Sequence, residues 1–161
     1  MSELDKQVGG NHYKTMPFQP IQFSYLTGIN FLEGCVVKYV TRYKAKNGIA
    51  DLDKAIHYCR VIEEFEYQRY KAGYWSLFKN LLHHMKRKLI GRWNFYKRRK
   101  LVAEFCDKNN LDTDQTFVIN IITTHDCAYD LESAVQFIEQ MKTQEFRKRF
   151  AEGVQSDDVC K

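Results

Sequence analysis

Phe31 to Tyr58, FLEGCVVKYVTRYKAKNGIADLDKAIHY, is the stretch from which the fold is read. Leu32, Val36, Tyr39, Val40 and Tyr43 recur at helical spacing, which predicts a helix with one buried face. Asn47-Gly48 is the kind of pair that ends a helix in the left-handed region, and Asp51 is a good N-cap for a second one. That second helix is expected to bury Leu52, Ala55, Ile56, Cys59 and Ile62. On the flank of the first, Cys35, Lys38 and Arg42 fall at i, i+3 and i+7, one stripe beside the apolar face. Lys38 and Arg42, four apart, are close enough to clamp a phosphate, the Arg bidentately and the Lys as a point charge. A solvated basic face is the alternative reading. A like-charge pair at this spacing costs only about 0.2–0.5 kcal/mol and needs no anion to explain it.

Working outward, Gly9-Gly10 permits close backbone approach to a ligand, and Pro17 and Pro20 keep the next residues extended. Together with Val8-Gly9-Gly10-Asn11-His12-Tyr13-Lys14 and Gln19-Pro20-Ile21, the 31–58 stretch resembles a family of small phage proteins labelled nucleotide kinase. That family shares its core pattern with the bacteriophage T7 nucleotide kinase, which phosphorylates deoxynucleoside monophosphates. The matching positions are His12, Tyr13, Gly34, Lys38, Tyr39, Arg42, Lys46, Asp51, Leu52, Lys54, Ala55 and Tyr58, within residues 7–65. Cys35 departs from the pattern, which has Asn there.

The resemblance implies a deoxynucleoside monophosphate kinase. Lys38, Arg42 and His12 would do the catalytic work, with ATP or another nucleoside triphosphate as donor and the need for Mg²⁺ left open. It also implies a nucleotide- and phosphate-binding set of Gly9, Gly10, Asn11, Tyr13, Tyr39, Lys46 and Lys54, with Tyr39 or Tyr13 stacking on the base. Core packing is the competing role for Tyr39. No G-x-x-x-x-G-K-[ST] occurs, so phosphates would be held by side chains and loop amides. Phosphoryl transfer, mostly positioning and charge neutralisation, permits that.

Length and composition set the frame. The 161 residues are 44% hydrophobic, with eleven Phe, ten Tyr and only two Pro, enough for a packed domain and poor in turn-formers. Five scattered cysteines show neither metal-ligand spacing nor a disulfide framework, which fits a reducing cytoplasm, here that of an infected host cell. The start of the chain is polar and mixed in charge, unlike a signal peptide, and no apolar run is long enough to span a membrane. The net charge of +5 is uneven: all nine basic residues of 79–100 stand without an acid among them.

The expected fold is all-α. Residues 1–73 form the kinase-like core, 74–110 a long basic amphipathic helix, and 111–161 a helical hairpin with a frayed tail. A short helix over 21–28 carries Ile21, Tyr25 and Leu26 and stops at Gly28. In the second core helix, Asp53 and His57 at i,i+4 are a candidate acid–base pair or an exposed surface pair. The long helix runs from Trp75 to about Lys108, with Phe78, Leu82, Met85, Leu89 and Tyr96 as its apolar stripe. Its cations, interleaved with Trp93, Phe95 and Tyr96, suit nucleic acid, a membrane surface, a host protein or plain solvent. Asn109-Asn110 breaks it. Asp112 with Gln115 resembles a capping box opening a helix that buries Phe117, Val118, Ile121 and Ile122. Asp130 is expected to cap a last helix with Leu131, Ala134, Val135, Ile138 and Met141 inside. His125-Asp126 is reminiscent of metal phosphohydrolase ligands, without evident companions.

Two functions compete with the kinase. One is an all-helical nucleotide pyrophosphohydrolase, for which Glu63, Glu64 and Glu66 are the available acids. The other is a phage accessory protein that binds nucleic acid or a host factor without catalysis. A homo-oligomer is compatible with any of these.

Overall fold

The structure is a computed structural model that describes residues 4, 13–73, 96–124 and 128–151. It is all-α: helices and turns occur among the described residues, and no strand does. The helices are α1 (Pro20–Thr27), α2 (Phe31–Arg42), α3 (Ile49–Gly73), α4 (residues 96–108), α5 (Thr113–Thr124) and α6 (Ala128–Ala151). A 3-10 turn, Tyr43–Ala45, extends α2.

Local chemistry explains the boundaries. Asn30 caps α2: its Oδ1 accepts from the amides of Leu32 (2.9 Å) and Glu33 (3.0 Å), and Glu33 accepts back from the Asn30 amide at 2.7 Å. Pro20 opens α1, and Gly28, at φ +65°, closes it, as expected. The Gly48 stop is also where the sequence places it, at φ +56°, with its amide donating to the Tyr43 carbonyl at 2.8 Å. Asp51 differs from expectation. Helix α3 already starts at Ile49, so Asp51 lies inside the first turn, and its fully buried carboxylate serves another purpose. Asp130 likewise sits within the first turn of α6.

Helix α2 packs on α3 and α5, α3 on α6, and α5 on α6. One buried cluster joins residues from all three parts of the chain: Val36, Val40, Leu52, Ala55, Cys59 and Ile62 with Phe105, Val118, Ile122, Leu131 and Ile138. Each large side chain in it contributes about 1.5–3 kcal/mol of hydrophobic stabilisation. Phe18, Phe23 and Phe105 close one end, Phe18 edge-on to Phe105 at 5.4 Å and Phe23 tilted against it at 4.4 Å.

Three faces are oriented otherwise than expected. Ile21, Tyr25 and Leu26 of α1 are exposed, and Pro20, Phe23 and Thr27 are the buried residues. Tyr96, expected on the apolar stripe of the long helix, is exposed, and the other residues of that stripe lie outside the described residues. In α5, Ile119 is fully buried while Phe117 is 40% exposed, its ring packing on Phe137 instead. The rest of the predicted long helix, residues 74–95, lies outside the described residues, as do His125 and Asp126. No described helix is long and apolar enough to cross a membrane.

Candidate functional site

The first turn of α3 and the last of α2 meet around a buried ion pair. Arg42 Nε donates to Asp51 Oδ2 at 2.9 Å and Nη2 to Oδ1 at 3.2 Å, while Nη1 donates to the Tyr13 hydroxyl at 2.9 Å. Asp51 also accepts from Asn47 Nδ2 at 3.0 Å and pairs with Lys54 Nζ at 3.5 Å. Arg42 is 6% exposed and Asp51 not at all.

Burial alone would raise the Asp51 pKa. The hydrogen bonds from Arg42 and Asn47, with the charges of Arg42 and Lys54, outweigh it and hold the carboxyl below its ordinary value. Arg42 moves the other way: burial disfavours its charge, but Asp51 and Tyr13 hold the guanidinium protonated even more firmly than usual. Burial pushes the Tyr13 phenol up, against the opposing effect of Arg42.

Tyr39 stands at the centre of the exposed side of this pair. Its ring stacks on Tyr58 at 5.8 Å, and three cations lie over it: Arg42 Cζ at 4.8 Å, Lys38 Nζ at 5.3 Å and Lys54 Nζ at 5.6 Å. Tyr39 and Tyr58 are half-buried and packed against the core, so Tyr39 has the packing role, while three cations stand over its ring. Cys35 is buried, not on an open stripe with Lys38, and the neighbouring thiol raises the pKa of the Tyr58 phenol. Gly34 has a packing role as well: a Cβ there would meet Ser24 Oγ of α1 at 3.0 Å.

The structure therefore brings together Tyr13, Lys38, Tyr39, Arg42 and Lys54 from the sequence-predicted set, and adds Asn47 and Asp51. Arg42 is not a free phosphate clamp, because two of its nitrogens are committed to Asp51. Lys46 is exposed in the turn before α3. Gly9, Gly10, Asn11 and His12 lie outside the described residues. The Asp53–His57 acid–base pair does not form: Asp53 accepts from Lys142 of α6 at 2.7 Å, and His57 lies edge-on to Tyr58. Nothing in the one-dimensional spacing of Asp53 pointed to Lys142, eighty-nine residues on.

Among the described residues no group of three or more His, Cys, Asp or Glu is gathered to hold a metal ion. The carboxylate nearest the cations, Asp51, has its oxygens occupied by Arg42, Asn47 and Lys54, so the donor set does not fit Mg²⁺, and no step is derived through it. A shallow groove between the start of α2 and the second half of α3 is lined by Phe31, Leu32, Ile62 and Phe65, and none of the predicted site residues borders it.

Compared with known proteins, no curated protein and no solved structure matches the chain. Residues 9–60, under half of the chain, match the model of a family described as protein of unknown function (DUF3310), and that match spans α1, α2, the first turns of α3 and the whole Tyr39 cluster.

Proposed function

We propose that this chain is a deoxynucleoside monophosphate kinase without a P-loop, whose acceptor phosphate lies against Lys38 and Lys54 beside the Tyr39–Tyr58 stack. The observation that carries the reading is the charge around Tyr39: three cations stand over one ring, and Asp51 is the carboxylate that offsets them. The positive excess belongs to Lys38 and Lys54, and it suits a phosphate dianion. The resemblance to phage nucleotide kinases supplies the reaction class. An acceptor phosphate oxygen attacks the γ-phosphorus of a nucleoside triphosphate, the bond from that phosphorus to the β–γ bridging oxygen breaks, and the nucleoside diphosphate leaves with that oxygen.

Arg42 takes a different role from the one its spacing implied. Bound to Asp51, it holds Tyr39 and Tyr13 in place, and the two lysines meet the phosphate. The pyrophosphohydrolase alternative needs a carboxylate cluster, and the described residues supply none. A panel of deoxynucleoside monophosphates incubated with ATP, with products separated chromatographically, tests the reading. A deoxynucleoside diphosphate is expected for at least one base. Lys38→Gln should weaken nucleotide binding about tenfold with unchanged thermal stability, and Lys54→Gln should weaken it as much but also lower the stability, because Lys54 pairs with the buried Asp51. Absence of both turnover and binding across the panel would overturn it.

A further inference from the structure

The two stacked rings at the candidate site are not equivalent. Tyr39 is enclosed. Tyr58 lies nearly parallel to it, the planes 18° apart, and Arg42, Lys38 and Lys54 stand over its ring at 4.8, 5.3 and 5.6 Å. A ring lying flat on one face leaves the cations the other face and the rim. The nearest of them, Arg42, is buried and held by Asp51 through two hydrogen bonds, so it does not swing aside. A nucleobase stacks as a flat plate and needs a whole ring face. Tyr39 has none to offer.

Tyr58 ends the stack. Among the described residues its other ring neighbour is His57, edge-on at 5.7 Å with the planes 66° apart, so no second ring lies flat against it. The side chain is half-buried; with Tyr39 against one face, the part open to solvent belongs to the rest of the ring. Its neighbours on the outer side of α3, Lys54 and His57, are both exposed. Lys54 precedes Tyr58 by four residues, which puts their Cβ atoms about 5–6 Å apart on the same side of the helix. Lys54 and Lys38 meet over Tyr39, directly beside the end of the stack.

We infer that Tyr58, and not Tyr39, is the platform on which the base of the nucleotide stacks, with the 5′-phosphate one sugar away at Lys54 and Lys38. This rests on the nucleotide reading of the site given above and adds the base subsite to it. Tyr39 backs Tyr58 from behind, and the cations over Tyr39 join the platform to the phosphate. Stacking on an aromatic face accepts every base, since each has a π face, so the ligand class is the nucleoside monophosphate. The base then contributes to affinity separately from the phosphate, and the two contributions are lost through different residues.

The test is isothermal titration calorimetry of the full chain with deoxynucleoside monophosphates and with 1,2-dideoxyribose 5-phosphate, which keeps sugar and phosphate but has no base. The nucleotides should bind about tenfold more tightly than the abasic phosphate. Tyr58→Leu should erase that difference and leave the abasic phosphate bound as before, whereas Lys38→Gln should weaken both ligands alike. Tyr58→Trp gives a second readout that does not depend on the leucine variant folding. Compared with wild type, which has Trp75 and Trp93, its added fluorescence should be quenched by a nucleotide and not by the abasic phosphate. Equal binding of the two ligands, a difference that survives Tyr58→Leu, or an added tryptophan indifferent to the base would each overturn the inference while leaving the phosphate site standing. Binding of neither ligand to the wild-type chain would overturn the nucleotide reading and the platform with it.

Discussion

Arg42 and Asp51 face each other across the junction of α2 and α3, joined by two hydrogen bonds and almost wholly removed from water. Nine residues separate them in sequence, and the 3-10 turn and Gly48 bend the chain so that the end of one helix meets the start of the next. The pair is satisfied on every side by Tyr13, Asn47 and Lys54, which is the condition under which a buried ion pair is tolerated. It ties the segment before α1 to both helices that carry the candidate site.

Removing one partner leaves the other charged and buried. Arg42→Ala and Asp51→Ala should each destabilise the fold by about 3–5 kcal/mol, read as a shift in the midpoint of urea unfolding. From spacing alone, Arg42 would be expected to tolerate truncation, as a residue beside the buried face. Arg42→Lys keeps the charge but not the two-pronged geometry, and should fall between wild type and Arg42→Ala. Wild-type stability in either alanine variant would refute the role given to the pair.

The same pair sets an acid limit. The folded-state pKa of Asp51 lies below its ordinary value near 3.8. Its contribution is therefore complete above that value and is lost as pH falls through the lower folded-state pKa. Unfolding free energies measured from pH 6 downward should converge for wild type and Asp51→Asn, with the gap widest at pH 6. A gap that stays constant to the lowest pH would show that Asp51 is not the titrating group.

Much of the helix framework was legible because it depends on short-range signals. Gly28, Gly48 and the Asn109-Asn110 break mark ends through backbone conformation alone, Asn110 adopting a φ of 50°. The Asp112–Gln115 capping box is present too, with hydrogen bonds of 2.7 and 3.2 Å. Orientation was harder to read. Helix α1 is apolar on several sides, so periodicity could not choose Phe23 over Tyr25 as its core residue. At the site, spacing correctly grouped Lys38 and Arg42 on one helix. It could not show that Asp51, read as a cap, would be drawn inward to neutralise Arg42, because that depends on how α2 meets α3.

Cysteine chemistry offers an independent check on the core. Burial, assisted by Glu63, pushes the Cys59 thiol up to about 12. The reactive thiolate is then scarce at ordinary pH, and the side chain is fully enclosed. Native protein treated with iodoacetamide at pH 8 and mapped by peptide mass spectrometry should show Cys59 unmodified, and labelling should appear once urea unfolds the chain. Labelling of Cys59 as fast as in unfolded protein would mean that α3 does not pack as described.

Gln115 does more than complete a capping box. Its Oε1 accepts from the Asp112 amide, while Nε2 donates to the carbonyls of Val40 at 2.7 Å and Thr41 at 3.3 Å, binding the start of α5 to the end of α2. Those carbonyls lie in the last turn of α2, where helical partners run out. Gln115→Glu keeps the shape and the acceptor but removes the donor. Ionised, it would aim a buried negative charge at two carbonyl oxygens, costing about 3 kcal/mol or more. Protonated, it can donate one hydrogen bond in place of the amide's two. Its folded-state pKa should therefore be raised, and stability should be lost as pH rises above the unfolded value of about 4.3. Thermal melts of Gln115→Glu and wild type at matched pH should nearly coincide at pH 4 and separate widely by pH 7. A separation that does not grow with pH would mean that the side chain at 115 turns to solvent and does not join α5 to α2.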